Sequence, residues 1–229
     1  DKDTQEHVRI VGPLAAVWLL IFAVPLFLWT PDRPRTGTAL ARQISGGLRS
    51  LSSTLSHLRS QGNIVRFLIA RMLYTDGLIT VFAMGGLFAA GTFGMEIEQV
   101  LIFGIVLNLT AGLGAAGFGW IDDWIGAKRT LLISVAGLLI TAGGAVLAPT
   151  ATLFWIFGSA LGVFVGPAQA ASRSMMARLA PAAHRTEFFG IYALTGKATA
   201  FMGPALVASI TAATNSQRWG LSITLVFFL

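Results

Sequence analysis

The chain has 229 residues, 55% of them hydrophobic and 11% charged, with no cysteine and a mean hydropathy of +0.73. A soluble domain carries roughly 25% charged residues, so the shortfall points to a protein solvated by lipid. The missing thiols exclude a disulfide scaffold and a thiolate metal site. The net charge of +6, which in a soluble protein would suggest nucleic-acid binding, must first be weighed as a topology bias.

Seven apolar stretches follow one another at 10–29, 65–90, 97–120, 130–148, 151–172, 187–212 and 217–229. The first six are long enough to cross a ~30 Å hydrocarbon core, whereas the last reaches only about 20 Å at ~1.5 Å per residue. Breaks fall at 31–34, 91–98, 122–129, 149–150 and 181–185, and loops this short make successive spans antiparallel neighbours. The expectation is an all-α polytopic transmembrane bundle. Because Asp1 stands where Met would begin a chain and Leu229 lies inside an apolar run, an excerpt of a longer membrane protein is expected.

Between the first two spans, residues 31–63 change character. Leu40, Ile44, Leu48, Leu51, Leu55 and Leu58 recur at helical spacing, while Arg42, Arg49 and Arg59 occupy other faces. This predicts an amphipathic helix within a connector, able to lie on an anionic leaflet.

The cations alternate by loop. Arg33, Arg35, Arg42, Arg49, Arg59 and Arg66 share one loop, Lys128 and Arg129 lie two loops on, and Arg173, Arg178 and Arg185 two loops further. Lys2, Arg9 and Arg218 lie on the opposite side. Positive residues in short loops face the cytoplasm, so the basic balance is accounted for by topology and no nucleic-acid partner is expected. Trp29, Trp120, Trp124, Trp155 and Trp219 sit near span ends, where an amphipathic ring prefers the headgroup layer.

Few polar residues lie deep in the spans. Asp76 falls about 18 Å into the second span, Asn108 about 16 Å into the third and Lys197 about 15 Å into the sixth. A charge near the bilayer centre is costly and usually pairs or faces a cavity. The sequence therefore predicts an Asp76–Lys197 ion pair with Asn108 in reach, lining a polar cavity; a purely structural buried pair is the alternative. Tyr74 is spaced to line the same cavity. Arg71, about 10 Å in, is expected to snorkel toward the headgroups.

Gly119, Asp123, Gly126, Lys128 and Arg129 reproduce the short-loop signature of the major facilitator superfamily, Gly-x-x-x-Asp-(Arg/Lys)-x-Gly-x-(Arg/Lys)-(Arg/Lys), with Trp124 departing from its basic position. The turn is assigned to Gly126, and Asp123 is placed as an anion near a helix start. The segments Gly166-Pro167-Ala168-Gln169-Ala170-Ala171-Ser172-Arg173, Glu187-Phe188-Phe189-Gly190, Gly196-Lys197, Gly203-Pro204 and Tyr74-Thr75-Asp76-Gly77 resemble the autophagy-type vacuolar effluxer branch of that superfamily and its bacterial relatives. The resemblance implies that residues 1–30 hold helix six of a twelve-helix transporter, 31–63 the cytoplasmic inter-half linker, and 64–229 helices seven to twelve with the last one cut. It implies a missing N-terminal half as partner, a bacterial inner-membrane location, a small solute such as an amino acid for export, and alternating access. Under it, Asp76, Lys197, Asn108, Tyr74 and Gln169 line the solute or ion path, Arg173, Arg178 and Glu187 form an inner gate, and Asp76 is a candidate proton carrier. No cofactor or metal is expected.

Glycines 158, 162 and 166, every fourth residue on one span, would let a neighbour approach closely. Two other functions stay open at this level. Asp122 and Asp123 resemble the paired carboxylates of a membrane-embedded Mg²⁺-dependent phosphotransferase, and a non-transporting sensor or scaffold would retain the same fold.

Overall fold

The computed structural model describes residues 10–31 and 61–229. The predicted amphipathic helix over Leu40–Leu58 lies outside the described residues. Helix α1 (Val11–Trp29) forms one unit by itself. It carries no charged residue, and its nineteen residues give about 28 Å, close to the thickness of the hydrocarbon core.

The second unit holds α2 (Gly62–Phe93), α3 (Ile97–Ile125), α4 (Ala127–Leu147), α5 (Ala151–Leu179), a 3₁₀ turn (Ala182–His184), α6 (Arg185–Ala198), α7 (Met202–Thr214) and α8 (Gln217–Phe227). Among the described residues no strand occurs, and α1 to α5 are each long and apolar enough to cross a membrane. The all-α polytopic bundle is therefore present.

Local chemistry explains the ends. Helix α2 stops at Gly94, whose φ of +65° suits a residue without Cβ and whose N–H donates to the Ala90 carbonyl at 3.0 Å. Glu96 and Gln99 then form a reciprocal capping box that starts α3. The Thr150 hydroxyl accepts from the Leu153 N–H at 3.3 Å and starts α5.

Two predicted boundaries change. Helix α3 continues through Asp122 and Asp123 to Ile125, and the connection to α4 is the single residue Gly126. Asp123 thus sits in the closing turn of α3, not at a helix start; the helix runs on because no residue before Gly126 interrupts its hydrogen bonding. Gly126 turns the chain with φ +85° and ψ 153°. Its N–H donates to the Asp122 carbonyl at 2.9 Å, and its own carbonyl accepts from the Arg129 and Thr130 amides.

The sixth span, expected to be continuous over 187–212, is broken into α6 and α7 at residues 199–201. Pro204 supplies the reason. It lacks the N–H that would donate to the Ala200 carbonyl, and its ring crowds that carbonyl. In the first turn of α7, where the N–H would be unpaired anyway, Pro204 is tolerated.

Helix α5 packs mainly on α3 and α4, and α8 on α2 and α7. The α3–α5 contact is a backbone-to-backbone approach. Gly158 lies against the Phe103 ring, Gly162 against the Leu107 carbonyl and Thr110, and Gly166 against the Ala111 carbonyl and Ala115, while Gly114 of α3 lies against the Val163 backbone. Pro167 removes the helical donor to that Val163 carbonyl. The small-residue stripe is therefore the α3–α5 seam.

Three buried clusters fill the unit. Ile64, Phe67, Met176, Phe188 and Tyr192 pack the end at which α2 and α6 begin. Tyr74, Leu78, Leu138, Leu161, Val165 and Phe228 fill the middle. Phe88, Phe103, Phe154 and Leu221 close the far end, where Arg218 donates to the Val146 carbonyl at 2.7 Å and lies 5.5 Å from the Phe93 ring centroid.

Candidate functional site

A cavity of about 520 Å³ is lined by α2, α5 and α6, and its polar groups are Arg71, Tyr74, Thr75, Gln169, Ser172, Arg173 and Tyr192. Their spacing follows from the helices. Arg71, Thr75, Leu78, Ile79 and Phe82 recur along one face of α2, and Gln169, Ser172 and Arg173 along one face of α5. Tyr192 is contributed by α6.

These side chains are tied together. Arg71 Nη1 donates to the Tyr192 carbonyl at 2.6 Å and to Thr195 Oγ1 at 3.3 Å, with the guanidinium carbon 3.5 Å from the Tyr192 ring centroid. The Tyr192 and Ser172 hydroxyls are 2.8 Å apart and hydrogen-bonded, and the Tyr74 hydroxyl donates to the Ala168 carbonyl at 3.4 Å. Gly196 leaves the room that Arg71 occupies, since a Cβ there would lie 2.6 Å from Nη1.

The predicted residues separate. Tyr74 and Gln169 line this cavity. Asp76 does not; it is 2% exposed, between α2 and the break at 199–201. Its polar neighbour is Thr199, and Asp76 Oδ1 and Thr199 Oγ1 are both enclosed without a hydrogen-bond partner. The expected Asp76–Lys197 ion pair is not formed, and Lys197 is exposed. The register explains why. Arg71 lies level with Tyr192–Gly196 and Asp76 level with Gly203, whose Cβ position is 3.2 Å from the Asp76 carbonyl. Lys197, one residue beyond Gly196, points about 100° further round the helix.

Asn108 is likewise not brought to Asp76. Its Nδ2 donates to the Gly104 carbonyl at 2.8 Å, and it lines a separate, mainly apolar cavity of about 160 Å³ with Phe82, Phe103 and Leu107. Arg71, expected to snorkel to the headgroups, is instead held inward. The signal available in the sequence was Gly196, a residue small enough to admit a guanidinium, but only the α2–α6 register connects the two.

At the end where α2, α4 and α6 start, Arg178 Nη1 lies 3.9 Å from the Cβ position of Gly126. This brings the close of α5 to the α3–α4 turn. Gly119, Asp123, Lys128 and Arg129 surround that turn with exposed groups. Glu187 Oε2 is 3.3 Å from His184 Nδ1. Arg173 lines the cavity instead.

Apolar spans enclosing a cavity with two guanidiniums define a polytopic helical membrane protein. The chain belongs to the vacuole effluxer Atg22-like family, whose pattern matches residues 1–229. It is 28% identical over 216 residues to YxiO of Bacillus subtilis (strain 168), described as an MFS-type transporter, covering 94% of this chain and 49% of that protein. It is 27% identical over 235 residues to autophagy-related protein 22 of Coccidioides immitis (strain RS), covering 91% and 39%. The Kluyveromyces lactis autophagy-related protein 22 is 24% identical over 253 residues, covering 100% and 51%. The chain thus spans about half the length of these relatives, or less.

The family is one of transporters, not enzymes. The phosphotransferase alternative also lacks its geometry, because Asp123 is exposed while Asp122 Oδ1 is enclosed without a partner, so the two carboxylates diverge. Among the described residues no three His, Asp or Glu side chains gather to hold a metal.

Proposed function

We propose that the chain supplies the second half of a secondary transporter that exports amino acids or similar small solutes by alternating access. In this proposal residues 1–30 carry the last helix of the first half, 31–63 the cytoplasmic linker, and 64–229 the second half, in a bacterial inner membrane. The observation that carries the reading is the cavity of about 520 Å³ with Arg71, Tyr74, Gln169 and Arg173 on its wall, inside a bundle of long apolar helices. Polar side chains in spans are costly and concentrate along solute paths, and family membership favours transport over a scaffold role. The missing half would complete the cavity.

The break between α6 and α7 supports the same reading. Discontinuous helices in transporters place backbone polar groups beside midplane sites and give one half a joint to move about. The break lies beside Asp76, which is the proposed proton carrier, because a buried carboxyl can alternate between a closed environment and water as the halves rock. Lys197 and Asn108, exposed on α6 and α3, enter as groups presented outward from this half, not as partners of Asp76. Gly119, Asp123, Gly126, Lys128, Arg129, Arg178 and Glu187 form the inner rim where the gate would close.

The test is counterflow of the twenty amino acids in proteoliposomes holding the full-length protein, with and without a pH gradient. Exchange is expected for at least one amino acid, with accumulation driven by the gradient. Asp76→Asn should keep exchange and lose gradient-driven accumulation. Absence of any amino-acid exchange refutes the solute assignment, and undiminished accumulation in Asp76→Asn refutes the proton role.

A further inference from the structure

The charge on the cavity wall is one-sided. Its cations are Arg71 and Arg173, its other polar groups are the neutral Tyr74, Thr75, Gln169, Ser172 and Tyr192, and among the described residues no carboxylate lines it. Among the described residues Arg71 makes no ion pair. A guanidinium inside a membrane span without a counter-charge is unusual, because desolvation of the cation is then offset only by neutral acceptors.

Arg71 is also aimed. One nitrogen, Nη1, is used by the Tyr192 carbonyl and Thr195, and the group is stacked on the Tyr192 ring over Gly196. Nε is enclosed without a partner, and the hydrogen bonds that Arg71 makes among the described residues are both from Nη1. A guanidinium on a cavity wall that carries neutral polar groups and, among the described residues, no carboxylate is a receptor for a carboxylate, which accepts charge-assisted hydrogen bonds from it. The stack on Tyr192 holds the guanidinium fixed, so little freedom is lost when an anion docks.

We propose that Arg71 anchors the carboxylate of the transported solute, with Arg173 raising the affinity of the cavity for anions and Gly196 serving as the space that keeps the guanidinium in place. This inference rests on the transporter reading and narrows its solute class to carboxylates. It places the anion-binding group on the second span, at Arg71, and not at the exposed Lys197. The solute's remaining groups face the rest of the cavity, where Tyr74 and Gln169 offer hydrogen bonds and Leu78, Ile79 and Phe82 apolar contact.

The experiment compares each of the twenty amino acids with its amide, which keeps size and ammonium but removes the anion. Equilibrium binding to the full-length purified protein is measured alongside counterflow in proteoliposomes. Wild-type protein should bind and exchange the acid at least about 10-fold better than the amide, as for loss of one charge-assisted hydrogen-bonded pair. Arg71→Lys, which keeps charge but not the fork, and Gly196→Ala, which displaces the guanidinium, should each raise KM about 10-fold or more for the acid. In both variants the preference for the acid over its amide should fall toward one.

Equal binding of acid and amide by wild-type protein overturns the inference, and that comparison needs no variant to fold. If acid and amide are also exchanged equally, the transporter reading survives without it. If nothing is exchanged, the transporter reading fails, and carboxylate-dependent binding lost in Arg71→Lys still decides the role of Arg71.

Discussion

Substituting Gly162 by Ala tests the packing that holds α5 to α3. A Cβ at this position would lie 2.6 Å from the Leu107 carbonyl oxygen and would collide with Thr110 Oγ1. Carbon and oxygen prefer to stay at least about 3.3 Å apart, so the seam must open by roughly 0.7 Å, and a gap of that size forfeits a quarter to a half of each dispersion contact along it. The obstacle is backbone of a helix extending from Ile97 to Ile125, which cannot rotate away as a side-chain tip would. Overpacking of this kind costs about 1–3 kcal/mol, reduced by the ~1 kcal/mol that Ala gains over Gly in a helix interior. Gly112 on α3 is the matched control, because its Cβ would meet nothing within 4 Å and the same substitution there should stabilise by about 0.5–1 kcal/mol. The two variants of the full-length protein should therefore differ by about 1–3 kcal/mol in SDS-induced unfolding followed by helical circular dichroism. Equal unfolding midpoints for Gly162→Ala and Gly112→Ala would refute the close approach of the two backbones.

Two further outcomes are expected from the same assay. Gly126→Ala should destabilise by about 1–3 kcal/mol, since φ +85° with ψ 153° is a region only glycine occupies without strain; a neutral result would mean that α3 and α4 are joined by a different turn. Tyr192→Phe removes the 2.8 Å hydrogen bond to Ser172 while keeping the ring under Arg71, and should cost about 0.5–1.5 kcal/mol. A loss of more than about 3 kcal/mol there would show that the hydroxyl supports more than this one bond.

Much of the fold was legible in the sequence because lipid imposes a simple demand: a span must be apolar and must satisfy its own backbone. The apolar stretches from 10–29 to 151–172 correspond to α1 through α5, and the Gly158, Gly162 and Gly166 stripe does mark a close helix contact. Pro204 was equally visible, yet the sixth stretch remained apolar across it. Its average hydropathy concealed a break that a missing N–H produces.

The site was less legible, because pairing across helices depends on rotation as well as depth. Asp76 and Lys197 were matched by counting residues into the membrane, which places two groups at one level and says nothing of the faces they occupy. Composition, spacing and the short-loop motif determined by themselves the polytopic bundle and the turn at Gly126. The register of α2 against α6 decided the rest: by setting Gly196 opposite Arg71 it made room for a guanidinium, turned Lys197 outward, and left Asp76 beside Thr199. Side chains on one helix diverge by about 100° per residue, so only the packed structure could tell which cation faces the cavity.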